Sequence, residues 1–319
     1  MRILLTGSSG WLGRFLAPQL REAGHQVTGL DVVAGLDTQI IGSVADRAVV
    51  DRAMETGIGA VIHAGALHKP DIARFDEQAF IEVNVTGTRN LLAAARAAGH
   101  DRFVFTSTTS LMISATIRAE RGDAAVWLDE QAGPLAPRNI YGVTKLAAEG
   151  LCRLYAAEHG LPCVVLRTGR FFPEDDDTQG KPAGENLKAN ELLNRRLTVE
   201  DAAAAHVAAL ERAPELGFDT FVLSAPTPFV RADAAELKRD AAAVIARLYP
   251  DAPALYAARG WTLPATIGRV YDASHAEHRL GFRARTDFAA VLAALRKGRA
   301  LPFVHDPSYT SPNRARIIG

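Results

Sequence analysis

The feature that most constrains this chain is its opening. An apolar run from Ile3 to Leu5 is followed by Thr6-Gly7-Ser8-Ser9-Gly10-Trp11-Leu12-Gly13. The run reads as a buried strand. Beyond it, Phe15, Leu16 and Leu20 are interleaved with Arg14, Gln19, Arg21 and Glu22 at helical spacing. A strand, a glycine turn and a helix in that order form the context of a dinucleotide fingerprint. Gly7 and Gly10 permit a tight turn and close approach by a pyrophosphate, whose charge suits a helix N-terminus. Gly13 lets the helix pack on the strand. Asp31 closes the next run, Gln26–Asp31, at the distance where a carboxylate meets the 2′-hydroxyl of an adenosine ribose. The plainer alternative is an ordinary strand-end turn.

Further strands are predicted at Gln39–Gly42, Ala60–His63, Arg102–Thr106, Cys163–Arg167 and Phe218–Leu223. Helices are predicted from Asp46, over Glu77–Ala98, Tyr141–His159, Glu200–Arg212 and Ala232–Leu248. The polar stretch between Ser114 and Arg138, with Gly122, Gly133, Pro134 and Pro137, reads as a surface excursion. Strands alternating with helices predict an α/β fold with a doubly wound parallel sheet. Residues 1–170 are expected to form the dinucleotide-binding core with the Tyr141 helix. Residues 171–319 are expected to complete that core and add a smaller substrate-binding lobe over the carboxyl ends of the strands.

Lys+Arg and Asp+Glu both count 36, so charge gives no pull toward nucleic acid or an anionic membrane. No signal-peptide pattern or long apolar run is present, and a cytoplasmic protein is expected. Cys152 and Cys163 read as buried thiols without metal spacing. The acidic run Glu174-Asp175-Asp176-Asp177 reads as a solvated loop, and no metal is expected.

Chemistry is suggested by Tyr141-Gly-Val-Thr-Lys145, which puts a phenol and an ammonium on one helix face. A free tyrosine, with a pKa near ~10, is a poor base at neutral pH. A neighbouring cation favours the phenolate, so the pair is expected to remove a hydroxyl proton while hydride leaves the same carbon. Small residues Ala64, Gly65 and Ala66 follow a strand where a cofactor could approach the backbone. The hydroxyls of Thr106-Ser107-Thr108-Thr109-Ser110, at another strand end, could hold a reacting oxygen or be plain turn formers.

These motifs resemble, in order, those of the extended short-chain dehydrogenase/reductases, the NAD-dependent epimerase/dehydratase family. The matching stretches are Thr6–Gly13, Val61–Ala66, Asn84–Leu91, Phe103–Thr108, Tyr141–Lys145 and Leu166–Gly169. Weaker likeness lies at Val199–His206 and Val270–Phe282. The resemblance implies a Rossmann-type sheet and NAD as cofactor, with Tyr141 as acid/base, Lys145 as its partner and ribose contact, and Thr108 orienting the substrate oxygen. It implies a cofactor lining of Gly7, Ser9, Gly10, Trp11, Leu12, Gly13, Asp31, Ser43, Val44, His63, Ala64, Gly65, Ala66, Thr106, Tyr141, Lys145 and Thr168. Asn84 is implied to be structural. A homodimer through the Glu77–Ala98 and Tyr141–His159 helices is an expectation of the resemblance alone.

Departures narrow the reaction. Gly42-Ser43 stands where the family often has Gly-Asp. Thr108-Thr109-Ser110 lacks the acid of Thr-Asp-Glu, which speaks against dehydration. The short stretch from Arg167 to Val199, and Arg167-Thr-Gly-Arg-Phe-Phe-Pro-Glu174 in particular, resembles the uronic-acid dehydrogenases. His68, Lys69, Thr109 and Arg170 are candidate substrate contacts, and Arg196 a candidate clamp on a nucleotide phosphate. For His68 and Lys69 the bland alternative is an exposed loop, and for Arg196 a surface charge. The expected partner is a small sugar or sugar nucleotide. Resemblance along the chain favours epimerisation of a sugar nucleotide. The short insert favours the alternative, NAD-dependent dehydrogenation of a free sugar or sugar acid. A non-catalytic dinucleotide sensor would not be expected to keep Tyr141, Lys145 and Thr108.

Overall fold

The computed structural model describes residues 1–175 and 182–312. In chain order the elements of the first half are β1 (Arg2–Thr6), α1 (Trp11–Glu22), β2 (Gln26–Asp31), β3 (Ile40–Ile41), α2 (Arg47–Met54), β4 (Ala60–His63), α3 (Glu77–Phe80), α4 (Gly87–Ala97), β5 (Phe103–Thr108), α5 (Ala115–Ala119), β6 (Val126–Leu128) and α6 (Ile140–His159). The second half supplies β7 (Cys163–Thr168), α7 (Gly184–Glu191), α8 (Val199–Leu216), β8 (Phe218–Leu223), α9 (Ala234–Leu248), α10 (Ala252–Ala258), β9 (Arg269–Tyr271) and α11 (Phe288–Arg296).

Seven strands pair in parallel in the order β3-β2-β1-β4-β5-β7-β8. A parallel sheet needs cover on both faces, and its strands are therefore apolar on both sides. Every residue of β4 and β7 is buried. On one face α1 and α8 pack around Leu16, Leu20, Ala205 and Ala209. On the other, α2, α4 and α6 close over Val50, Leu91 and Ala148. The order reverses beside β1, so the carboxyl ends of β1 and β4 open a crevice there, where ligands of such sheets bind.

Local chemistry sets the ends of the helices that matter. Asn139 Oδ1 accepts the Gly142 amide at 3.0 Å and caps α6, placing Tyr141 in the first turn. Gly160, at φ +64°, ends the helix in the left-handed conformation. The predicted 77–98 helix is present but not uniform: between α3 and α4 residues Ile81–Thr86 widen into π geometry. The extra residue per turn turns Asn84 inward, a placement typical of functional helices.

Two expectations are corrected. Residues 114–138 are not simply a surface excursion, because they contain α5 and β6. Strand β6 pairs in parallel with β9, and the Ala125 amide donates to Ala234 O at 2.8 Å. The partner of Val126–Leu128 lies far along the chain, so no local pattern announces it. In the predicted strand 39–42 only Ile40 and Ile41 pair. Of the acidic run, Asp176 and Asp177 lie outside the described residues.

A buried carboxylate ties the later chain to the sheet. Asp201, in the first turn of α8, accepts from Thr198 Oγ1 at 3.0 Å and from the Arg285 and Thr286 amides at 2.9 and 3.0 Å. Replacing it by alanine leaves two half-buried amides without this acceptor. Asp201→Ala should lower unfolding free energy by about 2–4 kcal/mol, measured by urea titration against wild type.

Candidate active site

The crevice is a cleft of ≈ 410 Å³ at the carboxyl ends of β1, β2 and β4. Gly7, Gly10, Trp11 and Leu12 form its floor, Asp31 and Val32 one end, and Ser43, Val44 and Ala45 a side. Ala64, Gly65 and Ala66 face them, and His68, Thr106, Phe171 and Phe172 close the other end. Backbone contact explains the glycines. A Cβ on Gly7, which sits at φ +74°, would lie 2.8 Å from Gly65 N, and one on Gly13 would lie 2.3 Å from Gly7 O. Side chains there would collide with backbone of the turn and of the loop after β4, so glycine keeps the turn tight and the α1 N-terminus open to a dinucleotide, a ligand that the cleft lining fits.

Asp31 is 8% exposed; its Oδ2 accepts the Ser9 amide at 3.0 Å and its Oδ1 the Val33 amide at 3.1 Å. Burial raises its pKa, and those amides oppose the rise. Ser9 itself points away, its hydroxyl donating to Val33 O. Ser43 Oγ accepts the Ala45 amide, while Asn90 Nδ2 donates to Val44 O and Ala45 O, fixing this loop on α4.

Three sequence-predicted cofactor residues hold the frame. His63 is buried between Thr6 Oγ1 (2.7 Å from Nδ1) and Thr88 Oγ1 (3.1 Å from Nε2). Thr106 Oγ1 meets His206 Nε2 at 2.7 Å. Thr168 Oγ1 donates to Ser107 O at 3.1 Å, inside the sheet.

At the end of β5 the Thr108 hydroxyl accepts the Ser110 amide at 3.0 Å and faces the phenol of Tyr141. Tyr141 is 7% exposed, and the His68 ring stands 5.8 Å from it, centroid to centroid. Lys145 Nζ lies 4.0 Å over the Phe105 ring. Electrostatics here differ from the sequence expectation. Burial pushes the Tyr141 phenol up to about 12, with Thr108 opposing, and pulls Lys145 down to about 7. In the protein by itself neither group is as ionised as their spacing suggests, because both have lost water.

His68 is brought to the cleft. Its backbone amide donates to Asp71 Oδ2 at 2.7 Å, and its ring packs 5.6 Å from Phe172. Burial lowers its pKa to about 4, against the pull of Asp71, so it is a neutral imidazole at pH 7. Lys69 is exposed and outside the cleft wall. Thr109 Oγ1 turns inward to Thr168 O at 3.3 Å. Arg170 is half-buried, its Nη2 3.4 Å from Asp175 O.

Arg196 corrects both of its readings, because it is neither a surface charge nor open to a phosphate. It is 2% exposed, its Nη1 bonds Glu191 Oε2 at 2.8 Å and its Nη2 donates to Phe172 O. Residues missed in sequence include the stacked pair Phe171–Phe172 (4.8 Å), Asp71, and a contribution of Ser311 and Pro312 to the cleft. The phenylalanines stand in the motif that resembles the uronic-acid dehydrogenases; nothing local marks the others. A second cavity of ≈ 400 Å³, lined by Arg118, Asn194, Arg195 and Arg269, shares no wall with the cleft and holds none of the Tyr141 group.

Residues 3–221 match the model of the NAD dependent epimerase/dehydratase family. The chain belongs to that family. Its cofactor is therefore NAD, and it is an enzyme of the oxidoreductase/isomerase kind. Over 181 residues it is 34% identical to the L-arabinose 1-dehydrogenase (NAD(P)(+)) of Haloferax volcanii, covering 55% of this chain and 69% of that one. It is 30% identical over 182 residues to the uronate dehydrogenase of Pseudomonas putida, covering 54% and 62%. The match thus spans under two thirds of the uronate dehydrogenase. A short-chain dehydrogenase/reductase superfamily protein from Agrobacterium tumefaciens with bound NAD shares the fold, with TM-score 0.66 and 24% identity over 93% of this chain and 98% of that one. No helix among the described residues is long and apolar enough to cross a membrane.

The family member's own geometry makes two predictions. Asp31→Asn keeps the shape but removes the charge that repels a 2′-phosphate. It should shift the NAD:NADP affinity ratio toward NADP by at least about tenfold, read by fluorescence titration with each dinucleotide. The second concerns acid. His63 and His206 are buried and His68 is half-buried, and all three have depressed pKa values, those of His68 and His206 about 4. Unfolded histidines protonate near ~6.5, so stability is full above that pH and falls as pH drops from about 6.5 toward 4. Each histidine contributes a slope of up to about 1.4 kcal/mol per pH unit. His206→Gln should remove about one proton from that slope in urea unfolding measured across the range.

Proposed function

We propose that this protein is an NAD-dependent dehydrogenase that oxidises one carbinol of a free sugar or sugar acid. The observation that carries the reading is the burial of Arg196. Arg196, the cation best placed in sequence to grip a nucleotide, is sealed against Glu191 and Phe172 O. What faces the cleft beside Tyr141 is a neutral imidazole and two phenylalanine rings, a compact end suited to a small hydroxylated ring. The arabinose and uronate dehydrogenases among the relatives support the same class of substrate.

In this reading NAD, held by the glycine turn and Asp31, would supply the hydride acceptor for the carbinol carbon. Tyr141 accepts the hydroxyl proton and Thr108 donates to the reacting oxygen. A phenol held up to about 12 cannot do this alone. It needs positive charge nearby, and Lys145, one helical turn away, carries a proton favoured by Glu149 a further turn along. Burial makes that charge count for more, since little water screens it. His68, neutral, can accept from or donate to a neighbouring hydroxyl, which suits a polyol better than a lone carboxylate.

The second reading, epimerisation of a sugar nucleotide, is favoured by the motifs shared along the family. The two differ in what leaves the enzyme. Purified protein incubated with NAD and a panel of aldoses, uronates and aldonates should release NADH with at least one of them. Nucleotide sugars should be neither oxidised nor epimerised. Epimerised nucleotide sugar without net NADH would replace this reading by the second. Tyr141→Phe should lose about 10²–10⁴-fold in kcat/KM on the substrate found, the range of a removed general acid–base, with little change in NAD affinity.

A further inference from the structure

Residues 305–312 run from contacts with Pro173 and Lys188 to the cofactor cleft. On the lobe side they are anchored: the Asp306 amide donates to Pro173 O at 3.0 Å, and His305 Nδ1 lies 3.1 Å from Lys188 Nζ. Asp306 then builds a turn. Its Oδ1 accepts from the Ser308 amide at 2.9 Å and the Ser308 hydroxyl at 2.6 Å, and its carbonyl accepts the Tyr309 amide at 3.2 Å. The turn sets Tyr309 edge-on against Trp11, with ring centroids 5.0 Å apart at 61°. Ser311 and Pro312, just beyond, line the same cleft as Gly10 and Asp31.

Trp11 is the first residue of α1, so its amide is one of the unpaired donors that head the glycine-turn helix. The Tyr309 phenol oxygen faces that amide, and Arg14 lies near enough to act on it. Trp11 Nε1 is shielded from water and has no hydrogen-bond partner among the described residues. A phenol can exchange roles at such a place, accepting from an amide or donating to an anion. Tyr309 and the site for a phosphate therefore address one helix terminus.

We infer that residues 306–312 form a strap that closes over bound NAD, with Tyr309 as its latch on Trp11, and that opening this strap sets the rate at which the cofactor leaves. The inference rests on the family's cofactor and on this chain's geometry, not on which sugar is oxidised. It has a kinetic consequence for a dehydrogenase, which must release NADH in every cycle and is commonly limited by that step.

The test is release of NADH from the full chain. Protein loaded with NADH is mixed rapidly with excess NAD, and the loss of bound-NADH fluorescence is followed. Tyr309→Ala should raise the dissociation rate roughly fivefold to tenfold, the worth of one aromatic pair. Asp306→Ala, which undoes the turn without touching the cleft, should move the rate in the same direction. Tyr309→Phe, keeping the ring, should fall between Tyr309→Ala and wild type. An unchanged rate in Tyr309→Ala overturns the strap. Slower release or tighter binding in that variant overturns it too, because the tail would then be an occupant of the cleft and not its cover. No sugar enters the measurement. Faster release with no sugar oxidised by wild type would leave the strap standing and the dehydrogenase reading refuted.

Discussion

One buried hydrogen-bond relay holds the parts of this site in register. The Gly65 amide donates to Thr6 Oγ1 at 3.1 Å, and Thr6 Oγ1 meets His63 Nδ1. On the other side of the ring, His63 Nε2 meets Thr88 Oγ1, which donates to Asn84 O at 2.6 Å. Directions follow from the ends. Thr88 has spent its one proton on Asn84, so it must accept from Nε2–H; Nδ1 must then accept the Thr6 proton, and Thr6 is left to accept from Gly65. A protonated His63 breaks this order, and burial keeps the ring neutral. Asn84 extends the relay. Its Oδ1 accepts the Leu67 amide at 2.9 Å, and its Nδ2 donates to Leu67 O and to Thr144 Oγ1, both at 3.1 Å. Thr144 stands between Tyr141 and Lys145 on α6. The glycine turn, the end of β4, the π segment and the active-site helix thus share one unbroken set of satisfied polar groups, and a change at any of them is felt at the others.

Beneath this relay lies a second buried unit that concerns charge. Glu149 accepts from Arg167 in two places, at 3.1 and 2.8 Å, and from Ser107 Oγ at 2.6 Å. Arg167 and Glu149 are 5% and 6% exposed. Such a pair adds little net stability, but removing one partner strands the other. Its position gives it a further effect. Glu149 lies one turn from Lys145 and favours its protonated form, while burial works in the opposite sense. Lys145 near neutrality and Tyr141 far above it are therefore the balance of a dry site, and added positive charge beside them favours the Tyr141 phenolate while it disfavours the Lys145 ammonium.

Sequence reached the frame of this site more fully than its walls. The glycine turn, the Asp31 position and the Tyr141 and Lys145 pair are local patterns on single elements, so spacing alone revealed them. The strands of the central sheet were legible because each is buried on both faces and reads as an apolar run. Strand β6 was not, since three residues between turns mean little until β9 is beside them. Arg196 shows a different limit. A charged residue before a helix looks exposed, and only the fold supplies the Glu191 carboxylate and Phe172 carbonyl that make burial tolerable. The Tyr141 and Lys145 spacing puts both on one helix, yet its electrostatic meaning depends on how much water burial removes, which no spacing encodes. Tyr309 lies most of the chain's length from Trp11, and a single aromatic in a polar tail gives no signal of its target.

Asp31 shows how the frame constrains the cofactor before any binds. Each of its oxygens already accepts one backbone amide, from Ser9 and from Val33, so its orientation is fixed by the turn after β1 and the turn after β2 together. Each oxygen retains a further lone pair. The carboxylate is therefore neither free to rotate away nor fully satisfied, and burial has raised the cost of its charge. Two hydroxyl donors relieve that cost; a phosphate dianion in the same place increases it. Selection between the two dinucleotides would then rest on a carboxylate whose place is set when β1 and β2 come together, before any cofactor binds.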